Sequence, residues 1–176
     1  MSGKAIPRVN GQADPLRLLI AELQDDRARV ARVVSEFDTA RVALLDPACD
    51  TLRIYGAAAL IESFYTGMEK ALRRIAQTLG GMPTGDAWHR DLLSSMTLSI
   101  DDLRPAVLAR GTASLLDAFL AFRHRFRNLY VFDLEREPMI ALLDRGPAAQ
   151  AAFDTDIDGF VVRLRDWVGA LERSEE

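Results

Sequence analysis

The chain has 176 residues, 49% of them hydrophobic and 27% charged, with a formal charge of -4. That balance excludes a disordered chain and is long enough for one domain with a core of its own. One cysteine, two histidines and no apolar run of membrane-span length exclude an intramolecular disulfide, a conventional zinc site and a membrane protein. They predict a cytoplasmic chain without a metal or other cofactor.

Residues 1–13 mix Gly, Pro and polar residues without a period and read as a disordered lead-in; residues 14–172 read as one helical domain and 173–176 as a tail. Asp14 is the expected cap of a long first helix, with Pro15 behind it. Leu16, Leu19, Leu23, Val30, Val34, Phe37 and Leu44 carry its helical period as far as Asp46-Pro47. Its charged stretch ELQDDRARVAR surrounds a narrow apolar seam, which fits packing in the bundle or against a partner helix. A second helix has Ile54, Ala58, Ile61, Met68, Leu72, Ile75 and Leu79 inward, and Gly80-Gly81 ends it. Glu69 and Lys70 are expected on its solvated flank.

A short helix capped by Asp86 follows, carrying His89, which is expected to make local contacts beside Trp88, Arg90 and Asp91. A connection around Pro105 leads to a helix starting near Thr112 and running through Leu116, Phe119, Phe122 and Phe126. A short helical turn and a separate last helix after Pro147 complete the chain. No segment alternates with period two, so the fold class is all-α, an antiparallel bundle of about four to five helices.

The common nucleotide-binding, zinc-hydrolase and serine-hydrolase motifs are absent from the sequence. The chemistry is concentrated in AFRHRFRNLYVF, residues 121–132. At about 100° per residue, Arg123, Arg127 and Tyr130 project from nearly one face, with His124 and Asn128 as a second pair beside them. Arginine suits phosphate because its planar fork stays charged and binds two oxygens at once. The same arginines could instead solvate the helix or pair with Asp133, Glu135 and Glu137.

The run from Arg123 to Tyr130 resembles the R-x(4)-H-x-Y signature of the HepT-like ribonuclease toxins of the HEPN fold. The segments FYTGMEKALRRIAQTLGG and WHRDLL precede it in the order and spacing of that family. The resemblance implies a HEPN-like helical domain, usually homodimeric, with an MNT-type nucleotidyltransferase antitoxin as partner in a type VII toxin-antitoxin system. It implies an endoribonuclease that needs no metal, in which the ribose 2'-OH attacks the adjacent phosphate. By the same resemblance Arg123 is the phosphate-stabilising arginine and His124 the polar residue that follows it, both catalytic. Arg125 and Arg127 would bind RNA, and Tyr130 would be the tyrosine that the antitoxin modifies with AMP.

The sequence departs from the signature at Asn128, where the family has the catalytic histidine. An amide cannot carry a proton near neutrality, and losing such a group costs on the order of a hundred to ten-thousand-fold in rate. His124 substitutes for the missing imidazole, or the chain is a naturally quiet relative, or the site has been disarmed by substitution. The alternative function is a non-catalytic helical protein that dimerises and binds the nucleotidyltransferase. A third is an unrelated bundle whose basic helix binds an acidic protein.

Overall fold

The computed structural model describes residues 13–101, 103–128 and 133–175; the expected lead-in lies almost wholly outside them. Within them the chain forms an all-α bundle of six helices: α1 (Asp14–Val34), α2 (Phe37–Leu45), α3 (Thr51–Leu79), α4 (Trp88–Ser95), α5 (Arg110–Phe126) and α6 (Arg136–Glu175). No helix among the described residues is long and apolar enough to cross a membrane.

The expected first helix is two. Beyond Val34 the Glu36 amide donates to the Val33 carbonyl, three residues back, and the Ser35 hydroxyl donates to the Arg32 carbonyl. These bonds close α1 with a tight last turn. The break lets Phe37 turn inward, where its ring lies 5.4 Å from that of Phe64. Asp14 is the first helical residue rather than the cap, which is Ala13, and its carboxylate pairs with Arg17 one turn on. In α4 the cap position falls on Ala87 rather than Asp86, without a side-chain bond. Helix α5 starts at Arg110, slightly before the expected Thr112.

The end of the chain differs most. The expected short turn and last helix are one 40-residue helix, α6, with Pro147 inside it. Proline there forfeits the amide that would reach the Leu143 carbonyl and crowds that carbonyl with its ring, yet the apolar face continues across it through Leu142, Leu143, Ala149, Phe153 and Ile157. Gly146, just before the proline, faces Phe37 so closely that a Cβ would collide with the ring. The glycine therefore seats α2 on α6.

Helix α3 is the centre of the bundle and touches all five others. Its start is capped by Asp50, whose carboxylate accepts from the Arg53 amide at 2.9 Å. Gly80 and Gly81, with φ of 90° and 85°, end it in a backbone conformation that side chains rarely adopt. Part of the mixed charge of α1 faces the bundle, while Asp25, Arg29 and Arg32 stay exposed. Asp26, only 2% exposed, binds Arg74 at 2.7 Å and Lys70 at 3.0 Å on α3, while Arg27 reaches Asp154 at 2.7 Å and Asp158 at 2.5 Å on α6. Lys70 is exposed, as expected of a solvated flank, and it also partners this buried acid.

Candidate functional site

The polar interior of the bundle lies where α3, α4 and α5 meet. On α3, Glu62, Thr66 and Glu69 follow one another at offsets of four and three, which stacks them along one face. The Thr66 hydroxyl donates to a Glu62 oxygen at 3.0 Å. Glu69 is buried, contrary to the solvated position expected for it.

Arg123 comes from α5 into this strip. It is 6% exposed, with Nε donating to Thr66 Oγ1 at 3.4 Å and 3.7 Å from Glu62 Oε1; a terminal nitrogen lies 3.7 Å from Glu69 Oε1. The expected exposed stripe of Arg123 with Arg127 is therefore not formed: Arg123 points into the bundle and Arg127 is exposed beyond the end of α5. The reason is charge. Two carboxylates on α3 give a buried guanidinium the partners it needs in a poor dielectric.

The turn at Gly80-Gly81 sends the chain back along α3, so that α4 lies over the carboxylates. His89 Nδ1 stands 2.6 Å from Glu69 Oε2, a contact across twenty residues rather than the local pairing expected. Its ring stacks on Trp88 at 3.6 Å between centroids, and the Arg73 guanidinium lies over the other ring of that pair, 5.4 Å from the Trp88 centroid. His124, next to Arg123 on α5, meets His89 edge to face at 5.5 Å. Partial burial, then the charges of His89, Arg123 and Arg90, hold the His124 imidazole below its ordinary range, with Glu69 opposing. The neutral ring is the favoured form near neutral pH.

Tyr65, on the same helix as Glu69, is buried with no hydrogen-bond partner for its hydroxyl among the described residues. Burial first, and then the charge of Glu69, push its phenol well above the ordinary range, so it stays protonated.

Asn128 lies apart from this cluster. It is exposed, and its side-chain nitrogen donates to the His124 carbonyl at 2.8 Å, closing the C-terminal end of α5. Arg125 is exposed and lines a surface cavity of about 130 Å³ with Phe126, Asp133 and Glu135, so it sits beside two of the acids that were candidates to neutralise it. Tyr130 lies outside the described residues. Among those residues, no group of three or more His, Cys, Asp or Glu is arranged to hold a metal ion.

Arg123 and His124 are thus brought together with each other, while Asn128, Arg125 and Arg127 are not brought into their cluster. Glu62, Thr66, Glu69 and His89 join instead. The sequence signal of the three on α3 was the spacing of polar residues within an otherwise apolar stripe, which points inward only once α4 and α5 are known to cover it.

The profile of the family described as HepT-like protein matches residues 56–164, more than half of the chain. The chain belongs to the HepT-like protein family. The matched span runs from early α3 into α6 and contains every residue of the cluster, so the HepT-like part of the chain is also the part that builds the candidate site. No curated protein and no solved structure matches this HepT-like chain significantly.

Proposed function

We propose that this HepT-like protein is the toxin of a type VII toxin-antitoxin pair, a cytoplasmic endoribonuclease that works without a metal and is attenuated by Asn128. The observation that carries the reading is His124: an exposed imidazole, kept neutral, directly beside the Arg123 guanidinium at the end of α5. A neutral imidazole can accept the proton of a ribose 2'-OH, which is the group that 2'-OH attack on a phosphodiester requires. Arg125 and Arg127, both exposed, are available for the RNA backbone. Arg123 contributes positive field from its buried position, at the place where negative charge builds on phosphorus.

Attenuation follows from position 128. Its amide carries no exchangeable proton of suitable pKa and is engaged with the His124 carbonyl. A homodimer is supported by the apolar side chains at the same end of the bundle: Leu52 is 80% exposed, and Tyr55, half exposed, packs on Phe126 of the motif helix at 5.4 Å. The partner would be an MNT-type nucleotidyltransferase that places AMP on Tyr130, adding negative charge that opposes RNA binding.

The test is RNA cleavage with EDTA present by the native chain and by Asn128→His. Slow cleavage by the native chain and faster cleavage by the variant support the reading; silence in both removes it. The second reading, a dimeric interaction protein that binds the antitoxin without cutting RNA, is favoured by the burial of Arg123 against two carboxylates. It gives antitoxin binding with no cleavage by either chain.

A further inference from the structure

Three features of α4 set His89 apart from a core histidine. Its Nδ1 faces a carboxylate, which can only accept, so Nδ1 carries a proton and Nε2 is the nitrogen left to exchange one. Its ring is fixed by the stack on Trp88. Its side chain is 15% exposed, and the exposed His124 stands 5.5 Å away. A carboxylate behind an imidazole holds the tautomer and stabilises the imidazolium, the arrangement that lets histidine act as an acid.

We propose that His89, oriented by Glu69, is the second proton-transfer residue of this site and protonates the leaving oxygen while His124 deprotonates the attacking one. The proposal rests on the RNA-cleaving reading above. In the step, neutral His124 takes the proton of the ribose 2'-OH and the bond from O2' to phosphorus forms. The bond from phosphorus to the 5' oxygen breaks, and that oxygen takes the Nε2 proton of the His89 imidazolium. The products are a 2',3'-cyclic phosphate and a 5'-OH end. One proton has moved from O2' to O5', and exchange with water restores both rings.

The edge-to-face contact sets the two imidazoles side by side, 5.5 Å between centroids, so that one phosphodiester can lie against both. The charged and titratable groups facing the pair are Glu62 and Glu69 from α3, Arg90 from α4 and Arg123 from α5, with Arg73 behind Trp88. Glu69 is the positioning residue: it touches His89 and Arg123 together and reaches the substrate only through His89.

The experiment is the pH dependence of RNA cleavage in EDTA by the native chain, His89→Gln, His124→Gln and Glu69→Gln, each confirmed folded by circular dichroism. Glutamine at 89 can still donate to Glu69 but cannot titrate. His89→Gln is expected to slow RNA cleavage by about a hundredfold or more and to abolish the basic limb of the profile. Uridine 3'-(4-nitrophenyl phosphate), whose leaving group departs without a proton, should be cleaved by His89→Gln at close to the native rate but not by His124→Gln. Glu69→Gln should show the same split, slowing RNA cleavage far more than cleavage of the nitrophenyl ester.

If the native chain cleaves RNA and His89→Gln matches it in rate and in both limbs, the inference is overturned while the nuclease reading stands. The same holds if only Asn128→His cleaves. If neither the native chain nor Asn128→His cleaves, the nuclease reading itself fails. Equal losses on RNA and on the nitrophenyl ester in Glu69→Gln remove the role given to Glu69.

Discussion

Arg123 and Asn128, five residues apart at the end of α5, occupy opposite environments: the guanidinium is buried between Glu62 and Glu69, and the amide is exposed and bonded to the His124 carbonyl. Positions five apart on a helix differ by about 140° around its axis, and the bundle turns that angle into an inside and an outside. Within one subunit the two ends of the motif therefore do not share a cleft.

Removing Arg123 should act first on stability. Arg123→Ala leaves Glu69 buried with His89 as its remaining ionic partner among the described residues, and breaking a buried pair in this way costs about 3 kcal/mol. In a chain of this length that lowers Tm by on the order of 10 °C. Thermal unfolding followed by circular dichroism checks it; an unchanged Tm would mean that the Arg123 contacts are not formed in solution.

Asn128→His should raise the rate of RNA cleavage by about a hundredfold or more, because it supplies a proton carrier at the motif position. Tm should change little, since residue 128 is exposed and its amide bonds the helix end. A rate gain without a stability change separates this residue from Arg123.

The lowered pKa of His124 has a sign that can be measured. A histidine whose folded pKa lies below its unfolded value of about 6.5 binds fewer protons in the native state. Stability then rises with pH through the window just below about 6.5 and is lost as the pH falls through it. Partial burial is the largest cause, the charges of His89, Arg123 and Arg90 add to it, and Glu69 opposes it. Melting temperatures of the native chain and His124→Gln between about pH 5 and pH 7 should show a steeper acid loss for the native chain; parallel curves would contradict it.

Two glycines of α6 should respond to alanine in opposite ways. Gly159 has nothing within 4 Å of an added Cβ, so Gly159→Ala should stabilise by about 0.5–1 kcal/mol, the helical gain of alanine over glycine. Gly146→Ala drives a methyl into Phe37 and should destabilise by about 1–3 kcal/mol. Urea unfolding of the two variants checks both, and a stabilised Gly146→Ala would show that α2 is not seated there.

The bundle was legible in the sequence because burial on a helix repeats every three or four residues, and the inward residues of α3 and α5 follow that period almost without exception. Two boundaries were not legible. The apolar period runs unbroken through Ser35 and Glu36, so the turn that frees Phe37 leaves no periodic trace. At Pro147 the opposite happened: a residue that breaks isolated helices is carried within α6 because the apolar face on both sides stays packed.

The site was legible only along α5. Arg123 and His124 stand out because bases are concentrated there, but spacing on one helix cannot say which face is covered. Glu69 and His89 are far apart in sequence and belong to helices whose polar residues looked like ordinary flanks. Their pairing depends on the Gly80-Gly81 reversal and on α4 lying back along α3, a tertiary fact that no local pattern carries.

The most direct test of the account is the fate of one defined RNA and its 2'-O-methyl counterpart, incubated in EDTA with the native chain and with Asn128→His. The account predicts that both chains cut the RNA, the variant faster, leaving 2',3'-cyclic phosphate and 5'-OH ends, and that the 2'-O-methyl strand survives. An intact RNA after incubation with either chain, or equal cleavage of the methylated strand, would contradict it.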